Sequence, residues 1–262
     1  MVNLFGNGFI GSNYHFMYPC IVNERNDLIP KTNEILYTIS TVDNHTFKVN
    51  PFIDIETNLT TLIRVLENCK KNSTVFNFLS SWFVYGAAEN ANEDTPCSPI
   101  GFYSITKRAA EQLLIEYASA HDIKYRILRL ANVVGPGDKK TSNKKNILSY
   151  LINQIRNNEK VTLSNHGEFK RNYIHVKDVC KAINLILTEG LYNEIYNVGA
   201  HTETLKNVVS YAYLKCNSKS TIVSKKENVL SSSIDCSKIQ SLGFTPSYSI
   251  SDIIDELINE YN

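Results

Sequence analysis

The sequence predicts an α/β fold, with a doubly wound parallel sheet and a smaller lobe toward the C-terminus. Strand and helix patterns alternate over most of the 262 residues, which is the order found in parallel sheets covered on both faces. An apolar strand at the N-terminus runs straight into a glycine-rich turn. Beyond Asn132 the chain changes to a turn and then to polar and basic residues, which marks the start of the second lobe.

The first predicted strand is Met1–Phe5, and it leads into the segment Gly6-Asn7-Gly8-Phe9-Ile10-Gly11. In this G-x-G-x-x-G pattern one glycine permits the turn, one lets a pyrophosphate approach, and one lets the helix pack on the strand. The N-terminus of the following helix offers free N–H groups and the positive end of a dipole. We therefore expect a Rossmann-type dinucleotide site whose cofactor-binding residues include Gly6, Gly8, Phe9, Ile10 and Gly11.

The later elements follow in chain order. Apolar and β-branched runs predict strands at Cys20–Val22, Ile35–Ile39, Thr74–Leu79, Tyr125–Leu130, Asn172–Val176 and Glu194–Val198. Helical spacing predicts helices over Asn58–Cys69, from about Phe102 to Ala118, from about Asn146 to Asn157, and over Ile250–Tyr261. Ligands of open sheets bind where the strands end, so Thr38, Ile39 and Ser40 are candidates for cofactor contact, with an ordinary core strand end as the alternative.

A tyrosine and a lysine stand four residues apart in Phe102-Tyr103-Ser104-Ile105-Thr106-Lys107. In a helix, residues at this spacing share one face. A lysine ammonium beside a phenol stabilises the phenolate and lowers its pKa from about 10. Tyr103 is therefore a candidate acid/base that could exchange a proton near neutral pH, although a half-buried helix tyrosine is the simpler alternative.

Composition excludes several functions. A formal net charge of +1 implies no strong attraction to nucleic acid or membranes, and no apolar run reaches transmembrane length. The basic segment 139–145 lacks interleaved aromatic residues, so a solvated loop is favoured over an RNA site. The six cysteines are scattered without metal-ligand spacing, so we expect reduced thiols and no metal. We expect no signal peptide before the first strand and a cytoplasmic location.

A series of motifs in chain order resembles the extended short-chain dehydrogenase/reductase family, in its branch of nucleotide-sugar epimerases, reductases and dehydratases. Besides the glycine turn and the Tyr103/Lys107 pair, they are Asp54–Leu59, Leu79–Gly86, Leu128–Gly137, Arg171–Val179, and Tyr196–Gly199 with Leu242–Pro246. The segment Leu128–Gly137 ends in Gly135-Pro136-Gly137, and the segment that begins with Arg171 reads Arg-Asn-Tyr-Ile-His-Val-Lys-Asp. The resemblance covers nearly the whole chain.

The resemblance implies a catalytic set of Ser81, Tyr103 and Lys107, with Lys107 also bonding the nicotinamide ribose. It implies that Asn58 lies beside the cofactor. The substrate would be a nucleotide sugar, whose diphosphate Asn132 and Arg171 would hold. Ser81 would bond the reacting sugar oxygen, or alternatively only cap a strand end. Trp82 and Phe83 could wall the sugar pocket or pack in the core. A homodimer formed through the catalytic helix and its neighbour is expected.

The chain departs from the family pattern after the glycine turn. The segment before the third strand is short, so the strand and helix that usually cover adenine are abbreviated or missing. The acidic residue expected after the second strand is replaced by Asn23-Glu24-Arg25. Asn23 and Arg25 are therefore taken as cofactor-binding candidates. An arginine suits the 2′-phosphate of NADP, whereas a glutamate could hold the ribose hydroxyls of NAD, so NADP is favoured slightly.

Trp82 and Phe83 disfavour dehydration among the reactions of this family. In the 4,6-dehydratases of this family these two positions carry an Asp-Glu pair that drives elimination, and two aromatic side chains cannot supply general acid and base. Epimerisation and 4-keto reduction remain, and the short adenine region favours a reductase, which must release its cofactor. A non-catalytic NAD(P)-binding sensor or scaffold of the same fold is the alternative function.

The predicted domain division follows from these assignments. Residues 1–132 and about 172–198 form the NAD(P)-binding Rossmann domain. Residues about 133–171 and about 199–262 form the substrate-binding lobe. His175 lies among apolar strand neighbours, so we expect it to be structural and not catalytic.

Overall fold

A computed structural model describes residues 1–42, 45–69, 73–138, 147–227 and 229–260. Its strands are β1 (Val2–Phe5), β2 (Cys20–Val22), β3 (Glu34–Tyr37), β4 (Val75–Ser81), β5 (Lys124–Leu130), β6 (Asn132–Val134), β7 (Val161–Ser164), β8 (Lys170–His175), β9 (Glu194–Val198), β10 (His201–Thr204) and β11 (Ile222–Lys225). Its α-helices are α1 (Phe9–Met17), α2 (Phe52–Ile55), α3 (Thr61–Cys69), α4 (Phe102–His121), α5 (Ile147–Arg156), α6 (Val176–Glu189), α7 (Leu205–Lys215), α8 (Ser237–Ser241) and α9 (Ile250–Glu260). The basic segment 139–145 lies outside the described residues.

The central sheet confirms the predicted fold class. Its six strands run in the order β2-β1-β3-β4-β5-β9, and every pairing between them is parallel. From β1 the chain moves outward to β2, then returns across β1 to β3 and continues the opposite way. This reversal makes the carboxyl ends of β1 and β3 the switch point, where open α/β sheets bind ligands.

The short region after the glycine turn is replaced by a loop that one asparagine closes. The carboxamide oxygen of Asn23 accepts a bond of 2.7 Å from the buried Asn3, and its nitrogen donates to the carbonyls of Asp27 and Ile29, both at 2.9 Å. Among the described strands, β2 has no neighbour on its outer side. The chain therefore passes directly from β2 to β3, and the predicted abbreviation of this region is confirmed.

The smaller lobe has its own sheets and core. Strands β10, β8 and β6 form one sheet, and β11 and β7 form another. Helices α5, α7 and α9 pack over them through a separate apolar cluster that includes Leu151, Val208 and Ile254. Strand β8 joins this second sheet, yet Ile174 within it packs into the core of the first domain. The chain therefore shares β8 between the two cores, close to the predicted boundary.

Helices α2 and α3 are joined by a π-helical turn over Glu56–Thr60, with Asn58 buried in it. Such turns insert one extra residue per turn and recur at functional sites. In the part of the chain that is described, no helix combines the length and the apolarity needed to cross a membrane. All six cysteines are free thiols.

Candidate active site

The glycine turn has the shape that its sequence pattern predicts. Gly6 has a φ of 99°, which is unfavourable for residues with a side chain. A Cβ on Gly11 would lie 2.0 Å from the carbonyl oxygen of Gly6, whereas a Cβ on Gly8 would meet nothing within 4 Å. Two of the glycines are thus required by close packing. The space at Gly8 is open, as the approach of a pyrophosphate requires.

The N-terminus of α1 faces this open space. Gly8 caps the helix without a side-chain bond, and no acidic residue lies in its first turn. The first N–H groups of a helix have no intrahelical partner, so the turn that begins with Phe9 and Ile10 offers donors and a positive dipole end. These residues fit the diphosphate of a dinucleotide.

The end of β3 braces the turn. The hydroxyl of Thr38 donates to the carbonyls of Phe5 and Gly6, at 3.0 and 2.7 Å. Main-chain nitrogen of Ile39 lies 3.0 Å from where a Gly6 Cβ would be. The structure therefore brings Thr38 and Ile39 together with the glycine turn, and the hydroxyl of Thr38 supports the turn.

The carboxamide of Asn58 joins the loop after β3 to α4. Its carboxamide oxygen accepts from the hydroxyl of Ser40 and the main-chain nitrogen of Thr41, and its nitrogen donates to the hydroxyls of Thr41 and Thr106. These four bonds hold the loop after β3 against α4. The place of Asn58 beside the cofactor stays a prediction. The role of Thr41, which also bonds Asp54, was missed because a lone threonine in a loop carries no sequence signal.

The two cofactor residues predicted in the segment after β2, Asn23 and Arg25, have different surroundings. The side chain of Asn23 is buried and closes the β2–β3 loop through its donor and acceptor groups. This internal bonding holds the loop that replaces the missing strand, and contact of Asn23 with the cofactor stays a prediction. Arg25 is exposed at the same end of the strand, where its guanidinium is accessible.

Tyr103 and Lys107 lie on one buried face of α4. The side chain of Tyr103 is 8% exposed and that of Lys107 is 1% exposed. The Lys107 ammonium donates to the carbonyl of Leu79 at 2.6 Å and lies 4.2 Å from the centre of the Phe78 ring. Burial lowers the pKa of Lys107 to about 7, and the negative charge of Glu111 opposes this shift. This lysine is thus poised between its charged and neutral forms.

Ser81 ends β4, and its side chain caps the short helical turn Trp82–Tyr85. Its hydroxyl oxygen accepts from the main-chain nitrogen of Phe83 at 3.3 Å. The capping role that we considered as an alternative is therefore real. Because the bond uses a lone pair, the hydroxyl hydrogen is still available to donate to a substrate oxygen.

An aromatic row connects the predicted substrate residues. The ring of Phe83 meets that of Tyr103 edge-on at 6.1 Å and stacks on Trp82 at 4.3 Å. The guanidinium of Arg171 lies 5.5 Å from the Trp82 ring and 4.8 Å from that of Phe169. The row therefore runs from the candidate acid/base to the candidate phosphate ligand.

Arg171 and Asn132 are held by main-chain carbonyls. One Arg171 nitrogen donates to the carbonyls of Lys170 and Leu230, both at 2.7 Å. Within the described ranges, no carboxylate lies in salt-bridge distance of Arg171, so its charge is not neutralised there. Asn132 donates to the carbonyl of Asn172 at 2.8 Å.

His175 has the structural role expected of it. Its Nδ1 accepts from the main-chain nitrogen of Lys177 and so caps α6, while Nε2 lies 3.0 Å from a carboxylate oxygen of Glu256. The ring also stacks on Tyr248 at 3.8 Å. Burial is the main cause that lowers the pKa of His175.

Comparisons with known proteins decide the family. The model of the NAD dependent epimerase/dehydratase family matches residues 35–199, which is well over half of the chain. The chain belongs to this family. The match begins at β3, so the glycine turn and the abbreviated segment lie outside it.

Three curated relatives that resemble the chain are 25–26% identical to it. The low-salt glycan biosynthesis protein Agl12 of Haloferax volcanii is 26% identical over 68% of this chain and 58% of its own length. A putative UDP-glucose 4-epimerase of Methanocaldococcus jannaschii is 26% identical over 80% and 70%. A dTDP-glucose 4,6-dehydratase of Streptomyces niveus is 25% identical over 71% and 56%. The matches to the first three curated relatives span 58%, 34% and 56% of their lengths.

Solved structures of similar shape share the fold. The UDP-glucose 4-epimerase of Thermotoga maritima with UDP-glucose has a TM-score of 0.86 at 23% identity, over 99% of this chain and 98% of that one. RMD from Pseudomonas aeruginosa, complexed with NADPH, has a TM-score of 0.87 at 17% identity over the same shares. Family and fold together identify a Rossmann-type member of the extended short-chain dehydrogenase/reductases.

Proposed function

We propose that this protein is an NAD(P)-dependent nucleotide-sugar 4-ketoreductase or epimerase that serves the synthesis of polysaccharides or surface glycans. The observation that carries the proposal is the face of α4 on which Tyr103 and Lys107 lie together. That face adjoins the carboxyl end of β4, where Ser81 stands, through the contact between Phe83 and Tyr103. The glycan biosynthesis relative and the epimerases among the curated relatives support the substrate class.

Each catalytic side chain has a distinct part in the proposed mechanism. The Tyr103 hydroxyl gives a proton to a sugar ketone oxygen during reduction, or takes one from a sugar hydroxyl during oxidation. The Lys107 ammonium favours the phenolate electrostatically and bonds the nicotinamide ribose. The Ser81 hydroxyl donates to the same sugar oxygen and aligns it. NAD(P), when bound, supplies or accepts the hydride at the sugar carbon.

The substrate-binding residues are proposed from the same geometry. Arg171 carries a positive charge without a carboxylate partner among the described residues, and its guanidinium suits a diphosphate. Asn132 lies one strand away on β6, which pairs with β8. The rings of Trp82 and Phe83 form an apolar wall beside Tyr103. They supply no acid or base, so we propose hydride transfer at one carbon without elimination of water.

The cofactor and its exchange favour the reductase. The nicotinamide would lie at the carboxyl ends of β1 and β4, with its diphosphate on Gly8, Phe9 and Ile10. The exposed guanidinium of Arg25 is placed to pair with a 2′-phosphate, which favours NADP. Because the β2 edge lacks a further strand in the described part of the chain, less protein covers the adenosine, and release after each turnover is easier.

Titration with NADPH and NAD, followed by a substrate screen, tests the proposal. We expect the purified protein to carry no tightly held cofactor, to bind NADPH more tightly than NAD, and to oxidise NADPH with a 4-keto-6-deoxy nucleotide sugar. Stoichiometric NAD retained through purification, with inversion of a nucleotide hexose, would make it the epimerase instead. Binding of the cofactor with neither reaction would reject the proposed activity in favour of a sensor or scaffold.

A further inference from the structure

Glu111 is a buried carboxylate beside the catalytic pair that the proposed mechanism does not use. It is fully buried on α4, four residues after Lys107 and eight after Tyr103. At these spacings the three side chains follow one another along one face of the helix. A buried carboxylate is costly unless it is paired, so its partners are informative.

Four donors hold the Glu111 carboxylate in a fixed position. Arg129 on β5 makes a bidentate pair with it, at 3.0 Å from Nε to Oε1 and 2.9 Å from Nη2 to Oε2. The Ser80 hydroxyl donates to Oε1 at 2.5 Å, and Arg108 donates to Oε2 at 2.9 Å. These three residues supply four donor groups, so the carboxylate acts only as an acceptor, as its ionised form does.

These partners connect Glu111 to the elements that carry the other site residues. Ser80 immediately precedes Ser81 at the end of β4. The third nitrogen of the Arg129 guanidinium donates to the hydroxyl of Tyr85 at 2.8 Å, and Tyr85 donates to Asn197 on β9 at 2.8 Å. These bonds therefore tie α4 to β4 and β5 at a point one helical turn from Lys107, so the helix cannot slide along its axis there.

The surroundings of Lys107 make this fixed negative charge consequential. From β4, Lys107 meets the carbonyl of Leu79 and the ring of Phe78, neither of which carries a full charge. Along its own helix it is flanked by the phenol of Tyr103 and the carboxylate of Glu111. Burial disfavours the ammonium form, and Glu111 is the charged group that counters burial.

We propose that Glu111, locked by Arg129 and Ser80, is a positioning residue that favours the cationic form of Lys107 and holds it in register with Tyr103 and Ser81. In catalysis, this inference rests on the proposed function, because a cationic Lys107 is what favours the Tyr103 phenolate. The charge relation between Glu111 and Lys107 exists in the protein without any substrate, so it can be measured separately.

The test is a titration of Lys107 by NMR in protein labelled with ¹³C at the lysine ε-carbon, with Lys107→Arg to assign the signal. Wild type is compared with Glu111→Gln, which keeps shape and removes charge. Glu116→Gln is the matched control, because it makes the same change at an exposed position of α4. We expect the Lys107 midpoint to fall by about one pH unit in Glu111→Gln and to stay in place in Glu116→Gln.

An unchanged Lys107 midpoint in folded Glu111→Gln would overturn the proposal. If that variant does not fold because Arg129 is left unpaired, the double variant Glu111→Gln/Arg129→Gln removes both charges. Its Lys107 midpoint should fall by less than in Glu111→Gln, because loss of the Arg129 cation raises the pKa of Lys107. With an active enzyme, Glu111→Gln should lower kcat more than it raises KM and should shift the pH profile. If no substrate is ever turned over, the proposed function fails while the titration still decides the role of Glu111.

Discussion

Lys107 shows how the site depends on single residues. Its ammonium is placed where the carbonyl of Leu79 and the ring of Phe78 replace water, and its pKa falls to about 7. Such a lysine costs stability whenever it is protonated in the folded state. A buried lysine at this position is explained by its proposed use in proton exchange by Tyr103 and not by the packing of α4.

Replacing Lys107 with methionine should therefore stabilise the protein. The unfolded state binds this proton more tightly than the folded state between about pH 7 and about pH 10, so the stability of wild type rises with pH across that window. Near pH 7, Lys107→Met should unfold at a higher urea concentration than wild type. Above pH 7, the free energy of unfolding of wild type should rise by about 1 kcal/mol per pH unit. Urea unfolding of both proteins at several pH values measures this. If the free energies of unfolding of wild type and Lys107→Met changed equally with pH, the prediction would be contradicted.

The sequence selected candidate site residues, and the structure adds the contacts that each of them makes. The Tyr103/Lys107 pair and Ser81 follow from spacing and resemblance, and their assignment to catalysis stays a prediction. Asn23 and Asn58 were picked by their place in the chain, yet their carboxamides bond loops of the protein itself. Only the folded structure shows which partners a polar side chain has.

At the scale of elements, the glycines of the N-terminal turn differ in their surroundings. Gly11 is in contact with the backbone of Gly6, while Gly8 faces open space. The two glycines are alike in the sequence pattern but should respond differently to a methyl group. The strand bounds were predicted well because β1, β2 and β9 are short apolar runs between clear breaks. The π-helical turn at Glu56–Thr60 was not, because nothing in its composition departs from a helix.

The pair Gly8→Ala and Gly11→Ala tests the cofactor turn. We expect Gly8→Ala to leave the free energy of unfolding within about 0.5 kcal/mol of wild type and to weaken NADPH binding about tenfold or more, because its methyl group fills the diphosphate space. Gly11→Ala should cost about 1–3 kcal/mol, because its methyl group meets the Gly6 carbonyl. Thermal unfolding and fluorescence titration give both values. Unweakened NADPH binding in Gly8→Ala would place the diphosphate elsewhere.

The cap of α6 should make stability depend on pH. Because burial lowers the pKa of His175, the unfolded state takes up the proton first as pH falls. The contribution of His175 is complete above about pH 6.5 and is lost as pH falls below it. His175→Asn keeps a capping side chain without a titratable group. The stability of wild type should therefore decline more steeply than that of His175→Asn between about pH 6.5 and pH 5. The free energy of unfolding, measured with urea at each pH, checks this. An equal decline with falling pH in wild type and His175→Asn would contradict it.

At the scale of the whole molecule, the outer face of the catalytic helix leaves apolar side chains exposed. Ile105 and Leu113 on α4 are 52% and 38% exposed, and Ile63 on the adjacent α3 is 38% exposed. This surface agrees with the expected homodimer through the catalytic helix and its neighbour. The sequence predicted two lobes, but it did not show that β8 pairs in the second sheet while Ile174 packs in the first core. Such sharing depends on contacts between distant segments.

Light scattering tests the homodimer. We expect a dimer for wild type and a monomer for the double variant Ile105→Lys/Leu113→Lys, because two charges in an apolar interface would not be solvated. Leu214→Lys is the control, since Leu214 is 78% exposed on α7 in the other lobe. It should remain a dimer. A wild type that is monomeric at micromolar concentration would remove the dimer from the account.

Turnover by Tyr103→Phe tests the central claim most directly. The substitution removes only the phenolic oxygen, so the ring contact with Phe83 is kept. We predict that the variant binds NADPH like wild type. With a 4-keto-6-deoxy nucleotide sugar it should oxidise NADPH at least about 100-fold more slowly than wild type, because the proton donor is gone. The absorbance of reduced nicotinamide follows both proteins. Equal rates in wild type and Tyr103→Phe would contradict the assignment of Tyr103 as the acid/base.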